Sequence, residues 1–163
     1  MINGKQCTIA FYVDDNKVSH KDPKVVTKVI QMLKHHFGDL KVVRGTKHTF
    51  LGMNIGILND KKIQIDMREQ LQEAIDMFPE NIPMKASSPA SRSLFQVDDN
   101  TEQLNKHQSE IFHSIVAELL FITKRARPDI EPTVAFLCTR VTKSNVHDWK
   151  KVVQVVIIHP EYN

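Results

Sequence analysis

The chain opens on an apolar run, residues 7–13, that meets Asp14 and Asp15 and leads away through Asn16-Lys17-Val18-Ser19. A β-rich run, a polar reversal and a return segment predict a hairpin with the two acids at its tip. Behind it, Val25, Val26, Val29, Ile30, Leu33 and Phe37 recur at helical spacing. Asp22-Pro23 supplies an N-cap followed by proline at the first helical position, and Gly38 supplies the stop. This helix is expected to cover one face of the sheet that carries Asp14. Residues 40–43 read as a short strand, and residues 50–58 with 62–65 as a hairpin around Asn59-Asp60. Asp66, with Glu69 three residues on, has the form of a capping box for a helix burying Leu71, Ala74, Ile75 and Phe78.

From residue 79 to about 106 the periodicity dissolves. Pro83, Pro89, Ser87, Ser88, Ser91 and Ser93 mark an irregular connector that runs into a second acidic pair, Asp98-Asp99. No strand precedes that pair, so it reads as a solvated loop. So long an irregular stretch argues for a boundary within the chain. The division is then 1–78, a linker over 79–106, and a helical segment over 107–163. In the last of these, Ile111, Ile115, Leu119 and Ile122 share one helical face. Asp129 and Pro132 start a second helix carrying Val134, Leu137, Cys138 and Val141, and Ser144-Asn145 caps a third with Trp149, Val152, Val153 and Val156 on its buried side. The pattern as a whole is α+β: a small antiparallel sheet with helices, followed by a helical bundle.

With 163 residues the chain is about the size of one domain and can bury a core. Its net charge of +3 is compatible with a polyanionic partner without requiring one. Cys7 and Cys138, far apart in sequence, read as reduced thiols rather than a disulfide framework. No apolar signal segment follows Met1, and the apolar run at 152–158 is far too short to span a bilayer, so an intracellular protein without a membrane anchor is expected. The histidines form no metal set: His35 and His36 are adjacent and point in different directions on a helix.

The chemistry concentrates at the first hairpin. Two carboxylates at its tip can offer oxygen ligands to a hard cation such as Mg²⁺, with the apolar residues behind them fixing the tip. The order Tyr12-Val13-Asp14-Asp15 resembles the catalytic hairpin of reverse transcriptases. His48-Thr49-Phe50-Leu51-Gly52-Met53-Asn54-Ile55 resembles the primer-grip hairpin of the same enzymes. Phe112-His113-Ser114-Ile115-Val116-Ala117-Glu118-Leu119-Leu120 and Arg125-Ala126-Arg127-Pro128-Asp129-Ile130 resemble the helical segment that follows the thumb in copia-type polyproteins. From Gln6 to about Lys151, the chain resembles the C-terminal part of the reverse transcriptase of Ty1/copia-type retrotransposons.

That resemblance implies a partial polymerase palm followed by a helical thumb and connection region. It also implies RNA-directed DNA polymerase ancestry with two-metal nucleotidyl transfer on Mg²⁺. Asp14 would be a direct metal ligand, with Asp15 supporting the site or holding a second ion more loosely. Phe50, Leu51 and Gly52 would hold the primer strand. The implied partners are an RNA template, a DNA primer and the remainder of the retrotransposon polyprotein, in cytoplasmic particles or the nucleus. Lys41, Arg44, Lys47, Lys124, Arg125 and Arg127 form a basic set that either contacts phosphates or is ordinary solvated surface.

The family carries a further metal-binding aspartate on a separate strand well upstream, together with nucleotide-binding fingers. This chain starts only eleven residues before Tyr12, and beyond Trp149-Lys150-Lys151 its text departs from the family's. Both ends therefore read as truncations. The expectation is weak Mg²⁺ binding and no polymerase activity from the isolated chain, the alternative role being that of a non-enzymatic nucleic-acid-binding remnant.

Overall fold

The computed structural model describes residues 1–59, 62–80, 82, 88, 90–98 and 100–157, which form two compact units divided between Asp66 and Met67. The fold is α+β, with two small antiparallel sheets and five α-helices among the described residues. In the first unit, β1 (Thr8–Tyr12) pairs with β2 (Asp15–Ser19) in a register running from Thr8↔Ser19 to Tyr12↔Asp15, which leaves Val13-Asp14 as a two-residue loop. Helix α1 (Pro23–Phe37) begins where expected: the Asp22 side chain accepts a hydrogen bond from Lys24 N at 2.8 Å. It stops at Gly38, whose φ of +85° suits glycine and whose N–H reaches Lys34 O at 2.9 Å. Val25 and Val29 are its buried residues, and the helix packs against β2.

The second sheet runs β3 (Lys47–Phe50), β4 (Met53–Ile57), β5 (Ile63–Asp66), all antiparallel. Three expectations from the hydrophobic pattern change here. Residues 40–43 form no strand: no ladder partner pairs with them, and Val42 and Val43 stay exposed. The expected strand over 50–58 is broken by the turn Leu51-Gly52, so that Phe50 ends β3 and faces Met53 at the start of β4. Asp66 does not open a helix, because it closes β5 opposite Asn54. The next helix, α2 (Arg68–Asp76), starts after Met67 without a side-chain cap. The Asn59-Asp60 turn involves Asp60, which lies outside the described residues.

The second unit is built on α2, α3 (Lys106–Thr123), α4 (Glu131–Cys138) and α5 (Val146–Val156), with a 3₁₀ turn at Pro128–Ile130. Its core joins Phe112, Ile115, Val116 and Leu119 of α3 to Val134 and Leu137 of α4 and to Trp149, Val152, Val155 and Val156 of α5. Phe78 meets Trp149 edge-on, with ring centroids 5.4 Å apart. The start of α3 is a full capping box: Asn105 Oδ1 accepts from Gln108 N at 2.9 Å and Gln108 Oε1 from Asn105 N at 3.2 Å. Asn145 and Asp148 repeat that device at α5. Asp129, expected to start α4, is instead held by Arg127, and the α-helix begins at Glu131.

The described part of 79–106 is irregular, as the sequence suggests, yet it is not a bare tether. Leu94 and Leu104 are buried, Lys151 Nζ donates to Gln96 O at 2.7 Å, and Asn145 Nδ2 donates to Asp98 O at 3.0 Å. Apolar burial and side-chain donors to the backbone tie this stretch to α5, where no hydrophobic period would reveal it. Pro83, Ser87, Pro89 and Asp99 lie outside the described residues, as does the C-terminal text from Ile158 on.

Candidate functional site

The carboxylates of Asp14 and Asp15 stand at the tip of the β1–β2 hairpin. Val13 and Asp14 form the loop, and Asp15 is the first residue of β2. Val13 sits at φ +51°, a left-handed conformation that a β-branched residue adopts only under strain. Apolar packing was expected to fix this tip, and it does not: Phe11 is 78% exposed, Tyr12 64% and Val13 85%. Among the described residues, the tip is held by backbone pairing along the β1–β2 ladder and by a hydrogen-bond contact from the neighbouring sheet.

That contact comes from Leu51. The loop Leu51-Gly52 between β3 and β4 has positive φ at both central residues, +52° and +71°, the pattern of a type I′ hairpin turn. Such a turn leaves the N–H of its first central residue outside the hairpin's own ladder. The Leu51 N–H donates to Asp15 Oδ2 at 3.2 Å, so the tips of the two hairpins meet. Asp14 and Asp15 are consecutive in sequence, but only folding brings the Leu51-Gly52 turn to them.

The donor set can be tested against a metal. Two adjacent carboxylates suit one Mg²⁺ that keeps most of its waters. Asp14 has no hydrogen bond or ion pair to its carboxylate among the described residues, and one oxygen of Asp15 is engaged by Leu51. No group of three or more His, Cys, Asp or Glu side chains that could hold a metal occurs among the described residues. The pair offers oxygen donors of the kind Mg²⁺ takes; elsewhere in the first unit Asp22 caps α1 and Asp39 pairs with Lys34 at 3.5 Å.

The basic residues divide by unit. Lys41 and Lys47 are exposed in the first unit, and Arg44 Nη2 donates to Thr27 Oγ1 of α1 at 3.2 Å, anchoring the segment between α1 and β3. In the second unit the three candidates have local partners. Lys124 pairs with Glu131, and the Arg125 guanidinium lies 3.7 Å from the Phe121 ring centroid. Arg127 grips Asp129 through two hydrogen bonds of 2.9 and 2.8 Å, which holds the Asp129 carboxyl below its ordinary range.

Sequence reasoning missed a buried charge cluster on α5. Asp148 accepts from Arg140 Nε at 3.0 Å and lies 3.7 Å from Lys151 Nζ, and all three side chains are largely or fully buried. Burial pushes the Lys151 amine below its ordinary range, with Asp148 opposing the shift. The only sequence signal was spacing: Asp148 and Lys151 stand one helical turn apart.

Among the described residues, no helix is long and apolar enough to cross a membrane. No family model matches the chain, and no solved structure matches it. Among curated proteins, the transposon Ty5-1 protein YCL074W of Saccharomyces cerevisiae is 30% identical over 133 residues, which cover 79% of this chain. The chain spans about 41% of the length of that relative. The chain is thus similar to part of a yeast transposon protein.

Proposed function

We propose that this chain is a segment of a retrotransposon reverse transcriptase, an RNA-directed DNA polymerase by ancestry, comprising part of the palm and a helical thumb and connection region. The observation that carries the reading is the meeting of the Asp14-Asp15 tip with the Leu51-Gly52 turn. A polymerase needs carboxylates beside the surface that holds the primer end, and here these two features come from separate hairpins. Asp14 and Asp15 would hold Mg²⁺, and the bound ion would supply charge neutralisation at the attacking 3′-oxygen and the leaving phosphate. Phe50, Leu51 and Gly52 form the primer side, where glycine lets a nucleic-acid backbone approach closely. Lys41, Arg44 and Lys47 contribute phosphate contacts around an RNA template and DNA primer. The remaining carboxylate and the nucleotide-binding surface belong to the rest of the retrotransposon polyprotein.

The test is template-directed incorporation with Mg²⁺ and all four deoxynucleotides, beside binding of an RNA–DNA primer–template across a salt series. The 163-residue chain is expected to bind the hybrid with an affinity that falls as salt rises and to extend no primer alone. Extension by the wild type that disappears in Asp14→Ala would show that the chain completes the site unaided. Absence of any salt-sensitive binding would overturn the polymerase reading. Loss of binding on replacing Lys41, Arg44 and Lys47 with alanine, together with no Mg²⁺ dependence, would favour a nucleic-acid-binding remnant.

A further inference from the structure

Between residues 90 and 98 the chain lies along α5 and is held there through its backbone. Lys151 Nζ donates to Gln96 O at 2.7 Å and Asn145 Nδ2 to Asp98 O at 3.0 Å. Just upstream, Gln154 Nε2 donates to Ser88 O at 3.0 Å. Leu94 is buried, whereas Phe95 and Val97 stay exposed. We propose that residues 90–98 form a lid that opens as a unit while the helices of the second unit stay folded, and that the closed lid is what shuts Lys151 off from water.

The backbone pattern favours separate opening. The lid belongs to no helix and no strand ladder, so lifting it breaks no cooperative row of backbone bonds. Its internal bonds travel with it: Leu94 N to Ser91 O at 3.1 Å, Gln96 N to Ser93 O at 3.0 Å, and the Ser91 and Ser93 hydroxyls 2.9 Å apart. The chain beyond is clamped. Leu104 N reaches Ser144 O at 3.1 Å, Val146 N reaches Glu102 O at 3.0 Å, and the Leu104 side chain joins the helical core. Between lid and clamp, the Asp98 carboxylate accepts from Asn100 N at 3.0 Å and from Thr101 Oγ1 at 2.9 Å, a compact turn that places the hinge at Asp98.

The group beneath the lid makes closure a close balance. The Lys151 side chain is only 5% exposed, and its short contact is the lid's own Gln96 carbonyl. Asp148 Oδ1 stands 3.7 Å away and the Phe136 ring centroid 4.6 Å. Arg140 already engages Asp148, so two cations share one carboxylate. Opening returns water to an ammonium in that setting, which offsets part of what is lost when Leu94 and the carbonyl contacts come away. Closure is therefore weaker than the packing of the helical core.

The experiment acetylates the 163-residue chain with acetic anhydride and reads Lys151 against the exposed Lys150 by mass spectrometry, while circular dichroism follows the helices. In Leu94→Ser, Lys151 is expected to react about tenfold faster relative to Lys150 than in wild type, because the lid loses its buried side chain. Gln154→Ala removes one carbonyl contact and should raise the ratio about threefold. Helical signal should be unchanged in both. In wild type, Lys151 acetylation should rise at denaturant concentrations too low to reduce the helical signal. Equal Lys151 protection in Leu94→Ser and wild type would overturn the lid, since the helices alone would then bury the amine. Acetylation that rises only as helix is lost would overturn separate opening. Should Leu94→Ser fail to fold, Gln154→Ala and the wild-type denaturant series decide both points.

Discussion

Arg140 Nε donates to Asp148 Oδ2 at 3.0 Å in a site where the Asp148 side chain is only 2% exposed. The same oxygen accepts from Asn145 N at 3.3 Å, so one carboxylate neutralises a guanidinium, caps α5 and faces Lys151. Removing a single partner strands the others without solvent. Asp148→Ala is expected to destabilise the second unit by about 3–5 kcal/mol. Asp148→Asn, which keeps an acceptor for the cap, should lose less. Chemical denaturation followed by tryptophan fluorescence would report both, since Trp149 lies in this core; equal stability of Asp148→Ala and wild type would contradict the assignment.

Phe112 is fully buried between the helices of the second unit. Truncation leaves a cavity that surrounding helices fill only in part. Phe112→Ala should cost about 3–5 kcal/mol, against about 1 kcal/mol at the exposed Phe95, whose ring meets Phe136 edge-on at 5.7 Å. Denaturation midpoints of the two variants would check this.

Val13 lies at φ +51° with its side chain in water, so the residue bears backbone strain and contributes little packing. Asparagine tolerates that region. Val13→Asn is expected to stabilise the first hairpin by about 1 kcal/mol. Slower amide exchange along β1 and β2 would demonstrate it, and faster exchange would show that valine is favoured there.

Glu118 on α3 has its carboxyl raised above the ordinary range, first by burial and then by the nearby charge of Glu73 on α2. A carboxyl whose folded value is raised binds its proton more readily in the fold. Its contribution to stability is therefore full below the unfolded value, near pH 4.5, and is lost as pH rises through the folded value. Glu118→Gln should match wild type in acid and exceed it at neutral pH by about 0.5 kcal/mol, solvent screening keeping the gain small. Melting curves at pH 4 and pH 7 test the sign.

Local chemistry alone determined much of this molecule. Asp22-Pro23 and Gly38 bound α1 because capping and left-handed glycine act over a single turn. The apolar run before Asp14 makes a strand, and the periodic face of α3 makes a core helix, for reasons equally local. Tertiary structure decided the rest. Residues 40–43 are as strand-like as β1 but have no partner to satisfy their backbone, so they stay irregular. Asp66 could cap a helix, yet the β4–β5 ladder claims it first, since several paired backbone bonds outweigh one side-chain cap. The irregular stretch around Gln96 is bound to α5 by a lysine whose burial no periodicity reveals. At the tip, the sequence places two acids together, but the Leu51 N–H that engages Asp15 is 36 residues away. A hydrogen bond over that separation depends on how two hairpins meet, and no pattern of neighbours along the chain encodes it.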